Sequence, residues 1–231
     1  MGDFTRIDSD TLKINRIENA NMWQGFEFGR PGQYVYHFDD FFTFTGAQWV
    51  VTETGVNTQA ISDGHAGRLL LTNAAADNDL TSIQMGNTGD ATTGESLLPA
   101  VGRTIYLECR MVKSDATQSD WLFGLVTTDT TPLSSVTGYF FQKDDGDTNV
   151  DVWANGSTTL SVATDDTSFH KYGIRINGTT DVEFWIDDVK ESTVTFSGTA
   201  EEVRPTFHIQ NGEAVAKTMT IDYLAIGASS R

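Results

Sequence analysis

The 231-residue chain carries 15 Lys and Arg against 32 Asp and Glu, a formal charge of −17. So acidic a surface repels phosphate backbones and anionic lipid, which excludes wrapping of nucleic acid and electrostatic membrane binding. With 39% hydrophobic residues the chain can bury a substantial core, and its one cysteine, Cys109, excludes an internal disulfide or a cysteine-rich metal module.

Residues 1–38 read as an N-terminal arm and residues 39–231 as one domain. The arm is nearly neutral, net −1, so that the remaining −16 belongs to the domain. Within the arm, Leu12, Ile14, Ile17, Trp23, Phe26 and Phe28 are large apolar groups without a clean period. They are candidate anchors for docking on another surface; the same stretch also reads as an edge strand of the domain. Met1 to Arg6 has no apolar stretch of the kind a secretory signal needs, and no run approaches the about 18 apolar residues of a membrane-spanning helix. Gly86 to Gly102 reads as a long connection or flap.

From Thr104 onward the pattern alternates with period two between Gly, Asn and Asp turns. In Thr104–Met111, Ile105, Leu107, Cys109 and Met111 share one face, which predicts a half-buried strand with Cys109 in its core phase. Gly138–Lys143 and Asn149–Trp153 flank Asp144-Asp145-Gly146-Asp147 as a hairpin, and Asn155-Gly156 turns the chain back onto Thr158–Val162. Phe169–Ile176 and Val182–Ile186 form a further hairpin, and Arg204–Gln210 and Lys217–Ile226 complete the run. This is the pattern of an all-β antiparallel sandwich.

The strand Ser168-Phe169-His170-Lys171-Tyr172-Gly173-Ile174-Arg175-Ile176-Asn177-Gly178 resembles the W-H-x-V-x-I-x-x-x-G strand of the concanavalin A-like, or laminin G-like, jelly rolls, with Phe169 in place of Trp. Phe184-Trp185-Ile186-Asp187-Asp188-Val189 is similar to the L-Y-V-D-G hairpin of that superfamily, with Asp188 where Gly is common. Thr220–Ile226 is similar to its closing strand. The resemblance implies a jelly roll, a fold that hosts lectins, glycanases and virion proteins alike. In the style of its short lead and single jelly roll, the whole chain resembles capsid decoration or fibre proteins of tailed phages. That likeness implies a non-enzymatic virion protein, made in the host cytoplasm and bound to the outer capsid surface. Its partners would be the major capsid protein and further copies of itself, as dimer or trimer. The alternative is a carbohydrate-binding, lectin-like module of a tail fibre or spike, with glycans as partners.

The chemical readings of the residues divide as follows. Retaining glucanases of this fold carry E-x-D-x-x-E or E-x-D-x-E on one strand face, and no such pattern occurs; Asp181 and Glu183, about 6.6 Å apart on a strand, are the one conceivable pair and read as a solvated strand edge. Cys109 reads as a structural thiol with no base beside it. The Asp144–Asp147 and Asp77-Asn78-Asp79 clusters lack the order and terminal Glu of a calcium loop and read as turns. His37, His65, His170 and His208 have no paired ligand spacing, and His170 reads as a packing residue. Asn155-Gly156-Ser157 and Asn177-Gly178-Thr179 match a glycosylation sequon and read as turns. No cofactor, metal or catalytic residue is expected. Trp153 and Trp185 both fall on nominally polar faces, Trp153 with Asp151 and Trp185 with Glu183. Each is a platform for a sugar ring, or a surface covered by the arm or by a protein partner.

Overall fold

The fold was analysed on a computed structural model, which describes residues 22–26, 33–62, 67–86, 96–135, 137–196 and 198–229. His65 and the anchor candidates Leu12, Ile14, Ile17 and Phe28 lie outside the described residues. Fifteen strands form two antiparallel sheets among the described residues. In chain order they are β1 (Tyr34–Asp39), β2 (Trp49–Thr54), β3 (Thr58–Ile61), β4 (Leu69–Thr72), β5 (Leu80–Met85), β6 (Thr104–Lys113), β7 (Ser119–Val126) and β8 (Gly138–Lys143). There follow β9 (Asn149–Ala154), β10 (Ser157–Thr164), β11 (His170–Asn177), β12 (Asp181–Ile186), β13 (Val189–Thr195), β14 (Arg204–Asn211) and β15 (Thr218–Ser229).

The eight-stranded sheet runs β13-β12-β11-β6-β15-β4-β3, with β1 added on β15; the seven-stranded sheet runs β10-β9-β8-β7-β14-β5-β2. The all-β antiparallel sandwich expected from the alternation is therefore the fold. The predicted β8–β9, β9–β10 and β11–β12 hairpins all form. The Asn155-Gly156 turn has both residues at positive φ (48° and 87°), the geometry that makes this pair favourable in a tight hairpin. β10 then bulges between Thr159 and Ala163, which breaks the flat edge it would otherwise expose. Residue 38, where the sequence divides arm from domain, lies inside β1.

The core fills the space between the sheets. Leu107, Cys109, Met111, Ile174, Phe184 and Leu224 face Phe123, Phe141, Val152, Phe207 and Ile209, all essentially without solvent exposure. Burial pushes the Cys109 thiol well above its ordinary pKa, so it packs as a small apolar group.

One charged cluster sits in this interior. Lys113 Nζ, at the end of β6, is 2.7 Å from Asp165 Oδ1, and both side chains are fully buried. The ammonium also donates to Tyr172 Oη at 2.8 Å on β11, and Trp121 Nε1 of β7 donates to Asp165 Oδ2 at 2.8 Å. Trp121 belongs to one sheet, Lys113 and Tyr172 to the other, so the cluster ties the two layers at one end. Burial pulls the Lys113 pKa below its usual range, and the Asp165 charge offsets only part of that.

Removing one partner leaves a buried uncompensated charge, so Asp165→Ala is expected to cost about 3–5 kcal/mol. The double replacement Lys113→Met, Asp165→Leu is expected to cost clearly less, because it removes both charges. Urea unfolding of the three proteins at pH 7 checks this; a double variant at least as unstable as Asp165→Ala contradicts it.

Candidate functional site

The alternation that buries one row of each strand leaves the other row on the outside, and the two outer faces differ. On the eight-stranded sheet, Met22–Phe26 lies against the outer side chains. The Trp23 ring stacks on Tyr106 (centroids 5.3 Å apart, planes at 11°), and its Nε1 donates to Glu108 Oε2 at 2.8 Å. Phe26 packs edge-on against Tyr34 and Tyr106. Two glycines of the sheet make room: a Cβ at Gly173 would meet Met22 Sδ at 2.5 Å, and one at Gly227 would meet Phe26 and Trp23 below 3 Å. Trp185, paired with Gly173 across β11–β12, lies under this segment and is only 6% exposed. Trp23 and Phe26, two of the candidate anchors, thus contact the chain's own sheet, and Trp185 presents no free ring face.

Asp181 and Glu183 lie on this same sheet, and their side chains are committed. Asp181 accepts from Asn177 Nδ2 and Thr180 Oγ1, and Glu183 lies between Arg175 and Lys190 at 3.6 and 3.5 Å. The Asp clusters close turns: Asp79 Oδ2 accepts from Ala76 N, Asp144 Oδ1 from Gln142 Nε2, and the Asp145 backbone N–H donates to Asp120 Oδ1. Among the described residues no group of three or more His, Cys, Asp or Glu side chains is placed to hold a metal ion.

The outer face of the seven-stranded sheet has a different chemistry. Its register sets the side chains in rows. One row runs Thr52, Ser82, His208, Leu122, Gln142, Asp151 across β2, β5, β14, β7, β8 and β9; the next runs Val50, Gln84, Thr206, Gly124, Phe140, Trp153. Arg204 stands at the head of β14, on the same face. The Trp153 ring lies nearly parallel to Phe140 (5.9 Å, 18°) and is half-buried. The segment Thr127–Ser135, with a single turn of 3-10 helix at Pro132–Ser134, folds over part of this face. Leu133 packs on Leu122, Val126 and Phe140, and Gln84 holds the segment by donating to the Thr127 carbonyl and accepting from Asp129 N.

Several polar groups here are buried yet unpaired. Neither ring nitrogen of His208 has a hydrogen-bond partner, and the same holds for Ser82 Oγ, directly opposite it, and for Gln142 Oε1. His208 is 1% exposed. Gln210, next on the same face, turns its amide nitrogen to Asn78 Oδ1 instead. Burial pushes the His208 pKa down to about 4, with the neighbouring Gln210 side chain offsetting only part of that, so the ring is neutral near pH 7 and can both donate and accept. Buried polar atoms are nearly always paired, so unpaired ones gathered on one face mark a place where something else supplies the bonds.

The two remaining described histidines differ from it. His37 is exposed on β1. His170 packs edge-on against Tyr172 and is also held by two carboxylates: Nδ1 is 2.6 Å from Asp187 Oδ2 and Nε2 is 2.9 Å from Asp166 Oδ1. Burial alone would lower its pKa, but the hydrogen bonds and charges of Asp187 and Asp166 outweigh that and raise it.

No family model and no curated protein matches the chain. Its similarities are structural. A protein of unknown function from Shewanella oneidensis superposes with a TM-score of 0.58 at 10% identity, covering 87% of this chain and 88% of that one. Peanut lectin gives 0.57 at 11% identity, with 85% and 98% covered. A mixed-linkage-glucan GH16 protein from Bacteroides ovatus, in complex with a G4G4G3G product, gives 0.54 at 14% identity, with 82% and 99% covered. At these identities the likeness is one of fold, and the fold is the concanavalin A-like jelly roll.

The two histidine environments, His170 and His208, predict opposite pH dependences. His170 has a raised folded pKa, so its ion pairs stabilise fully below the unfolded value of about 6.5 and fade as pH rises through the folded value. For His208 the folded value lies below the unfolded one, so its contribution is present above about pH 6.5 and lost as pH falls toward 4. His170→Gln is therefore expected to lower the urea midpoint more at about pH 5.5 than at pH 8.5, and His208→Gln to flatten the acid limb below about pH 6.5. Curves that stay parallel to that of the unsubstituted protein contradict both.

Proposed function

We propose that the protein is a non-catalytic, carbohydrate-binding module that receives glycan on the outer face of its seven-stranded sheet. The observation that carries this reading is the row of buried, unpaired hydrogen-bonding groups, His208, Ser82 and Gln142, on the same face as Trp153. Sugar recognition asks for an aromatic ring to stack on and for donors and acceptors aimed at hydroxyls, and this face holds both. The neighbours that share the fold include a lectin and a glucan-bound glycoside hydrolase, which agrees with the reading.

The carboxylates on this face support binding without hydrolysis. Asp120 and Asp151 stand two strands apart and two residues out of line, which puts their Cα atoms about 12 Å apart. Each already accepts a backbone N–H, from Asp145 and from Ser161.

The capsid-decoration reading belongs with these proposals as the second one, and it rests on likeness of style. The named neighbours of stated kind are a lectin and a glucan-bound GH16 protein, and the described part of the arm packs on the chain's own sheet, so the glycan reading is the stronger.

Trp153→Ala is expected to abolish or reduce by about tenfold or more the retention of the protein on a glycan array, consistent with the loss of one stacking ring worth about 1.5 kcal/mol. Trp185→Ala is expected to lower stability by about 3–5 kcal/mol, since it empties a buried site, and to leave the array pattern unchanged. Trp153→Ala with undiminished retention, or no retention of the unsubstituted protein on any glycan, overturns the proposal.

A further inference from the structure

The head of β14 adds a charge to this face that the neutral hydrogen-bonding row does not explain. Arg204 is 4% exposed, and its guanidinium makes no ion pair and no hydrogen bond to the described residues. Its side chain runs beside β5 and β2: a Cβ at Gly86 would stand 2.8 Å from Arg204 Nη1 and 3.6 Å from Val50 Cγ2, so a glycine there is what admits the arginine. The methylene stem can pack along apolar neighbours, but a guanidinium taken this far out of water without an anion is costly.

The missing partner is the more telling because acidic groups are abundant in the chain. Of the 32 Asp and Glu, two described ones near the head of β14 in sequence or on the covering segment, Glu202 and Asp129, are turned elsewhere. Glu202 Oε2 accepts from Ser96, and Asp129 Oδ1 accepts from the N–H and hydroxyl of Thr131. By contrast the other semi-buried cations all have partners. Lys113 has Asp165, Lys217 has Asp115 and Glu213, Lys143 has the carbonyls of Thr117 and Ser119, and Arg110 has Asp222. Among the described residues Arg175 keeps an unbonded Nε but faces Glu183 at 3.6 Å, whereas Arg204 faces no carboxylate and lies on the face where Ser82 and His208 are also unpaired.

We infer that the glycan this face takes is acidic, with a sugar carboxylate received by the Arg204 fork and neighbouring hydroxyls by Ser82 and the neutral His208 ring. The inference rests on the carbohydrate-binding reading and names the class of sugar within it. A guanidinium presents parallel N–H groups that match a carboxylate two-for-two, which a neutral hydroxyl does not. Arg204 and His208 are four residues apart on one strand, about 13 Å between Cα atoms. A ligand touching both is therefore an oligosaccharide and not a single sugar. The long-range field works against nonspecific capture: a net charge of −17 repels polyanions, so any preference for an acidic glycan must come from a local, desolvated contact.

The test is titration calorimetry on the full chain with three matched probes: an oligouronide, the same oligouronide with its carboxyl groups reduced, and a sulfated oligosaccharide of equal length. The oligouronide is expected to bind about tenfold or more tightly than its reduced form, the discrimination of a charge-assisted bidentate contact, and more tightly than the sulfated probe. Arg204→Met is expected to erase the difference between the first two probes, and Arg204→Lys to retain part of it. The comparison of probes on the unsubstituted protein stands even if Arg204→Met folds poorly. Equal affinity for the oligouronide and its reduced form overturns the acidic assignment while leaving the glycan reading intact. A preference for the sulfated probe overturns the carboxylate, and no binding of any probe or array glycan overturns both readings together.

Discussion

Phe207 and Ile209 set the phase of β14, and the outer face of the seven-stranded sheet follows from that phase. Phe207 stacks against Phe123 in the core (5.0 Å, 29°) and Ile209 is fully buried beside it. Because side chains alternate across a strand, placing these two inward places Arg204, Thr206 and His208 outward. A register slip of one residue would bring two cationic or polar side chains into the apolar core and send two large apolar ones out. The hydrophobic term that locks the sandwich therefore also presents the unpaired polar row, at no separate cost in conformational ordering.

The two outer faces of the sandwich have been treated unequally by the sequence. The face of the eight-stranded sheet is closed by Met22–Phe26, which satisfies Glu108 through Trp23 and fills the room left by Gly173 and Gly227. Aromatic and charged groups there find partners in the chain: Tyr223 Oη donates to Glu108 Oε1, and Arg175 sits over the Tyr106 ring. On the seven-stranded sheet the Thr127–Ser135 segment covers Phe140 and Gln84 and leaves His208 and Ser82 without bonds. Buried polar groups cost stability when unpaired. Arg175 Nε, Glu183 Oε2 and Trp185 Nε1 are also unpaired on the eight-stranded sheet, but Arg175 and Glu183 face each other there, whereas His208 and Ser82 have no hydrogen-bond partner among the described residues and hold a reserve of binding energy. Such a division, with stability on one side and recognition on the other, is how a common fold comes to carry a particular function.

The sequence and the structure agree best where a strand alternates cleanly. Cys109 falls in the core as its phase requires, and Val150 and Val152 face inward while Asp151 and Trp153 face out. What the pattern does not contain is which sheet a strand joins. Trp153 and Trp185 carry the same sequence signature, yet they lie on opposite outer faces, because β9 and β12 belong to different sheets. The edge strand offered for the first 38 residues is met in part by β1, while β2 to β5 are not marked by the pattern: they are four to six residues long, and β3 is largely exposed, so they show little alternation. His208 is one histidine among four, and only the inward neighbours on either side mark its outward phase. Its lack of partners is a property of three-dimensional packing, as is that of Arg204. The Lys113–Asp165 pair is equally invisible, its members being 52 residues apart and joined only by the meeting of two sheets.

The central claim is that a ligand completes the unpaired groups on the outer face of the seven-stranded sheet, and the imidazole of His208 reports on it directly. Long-range nitrogen–proton NMR spectra of the histidine rings, recorded near pH 6 with and without a saturating acidic oligosaccharide, measure both its state and its contacts. The account predicts a neutral His208 ring in the free protein and a marked change in its nitrogen shifts on binding, with His170 unchanged. A charged His208 ring in the free protein, or spectra that are identical with and without the saccharide, would contradict it.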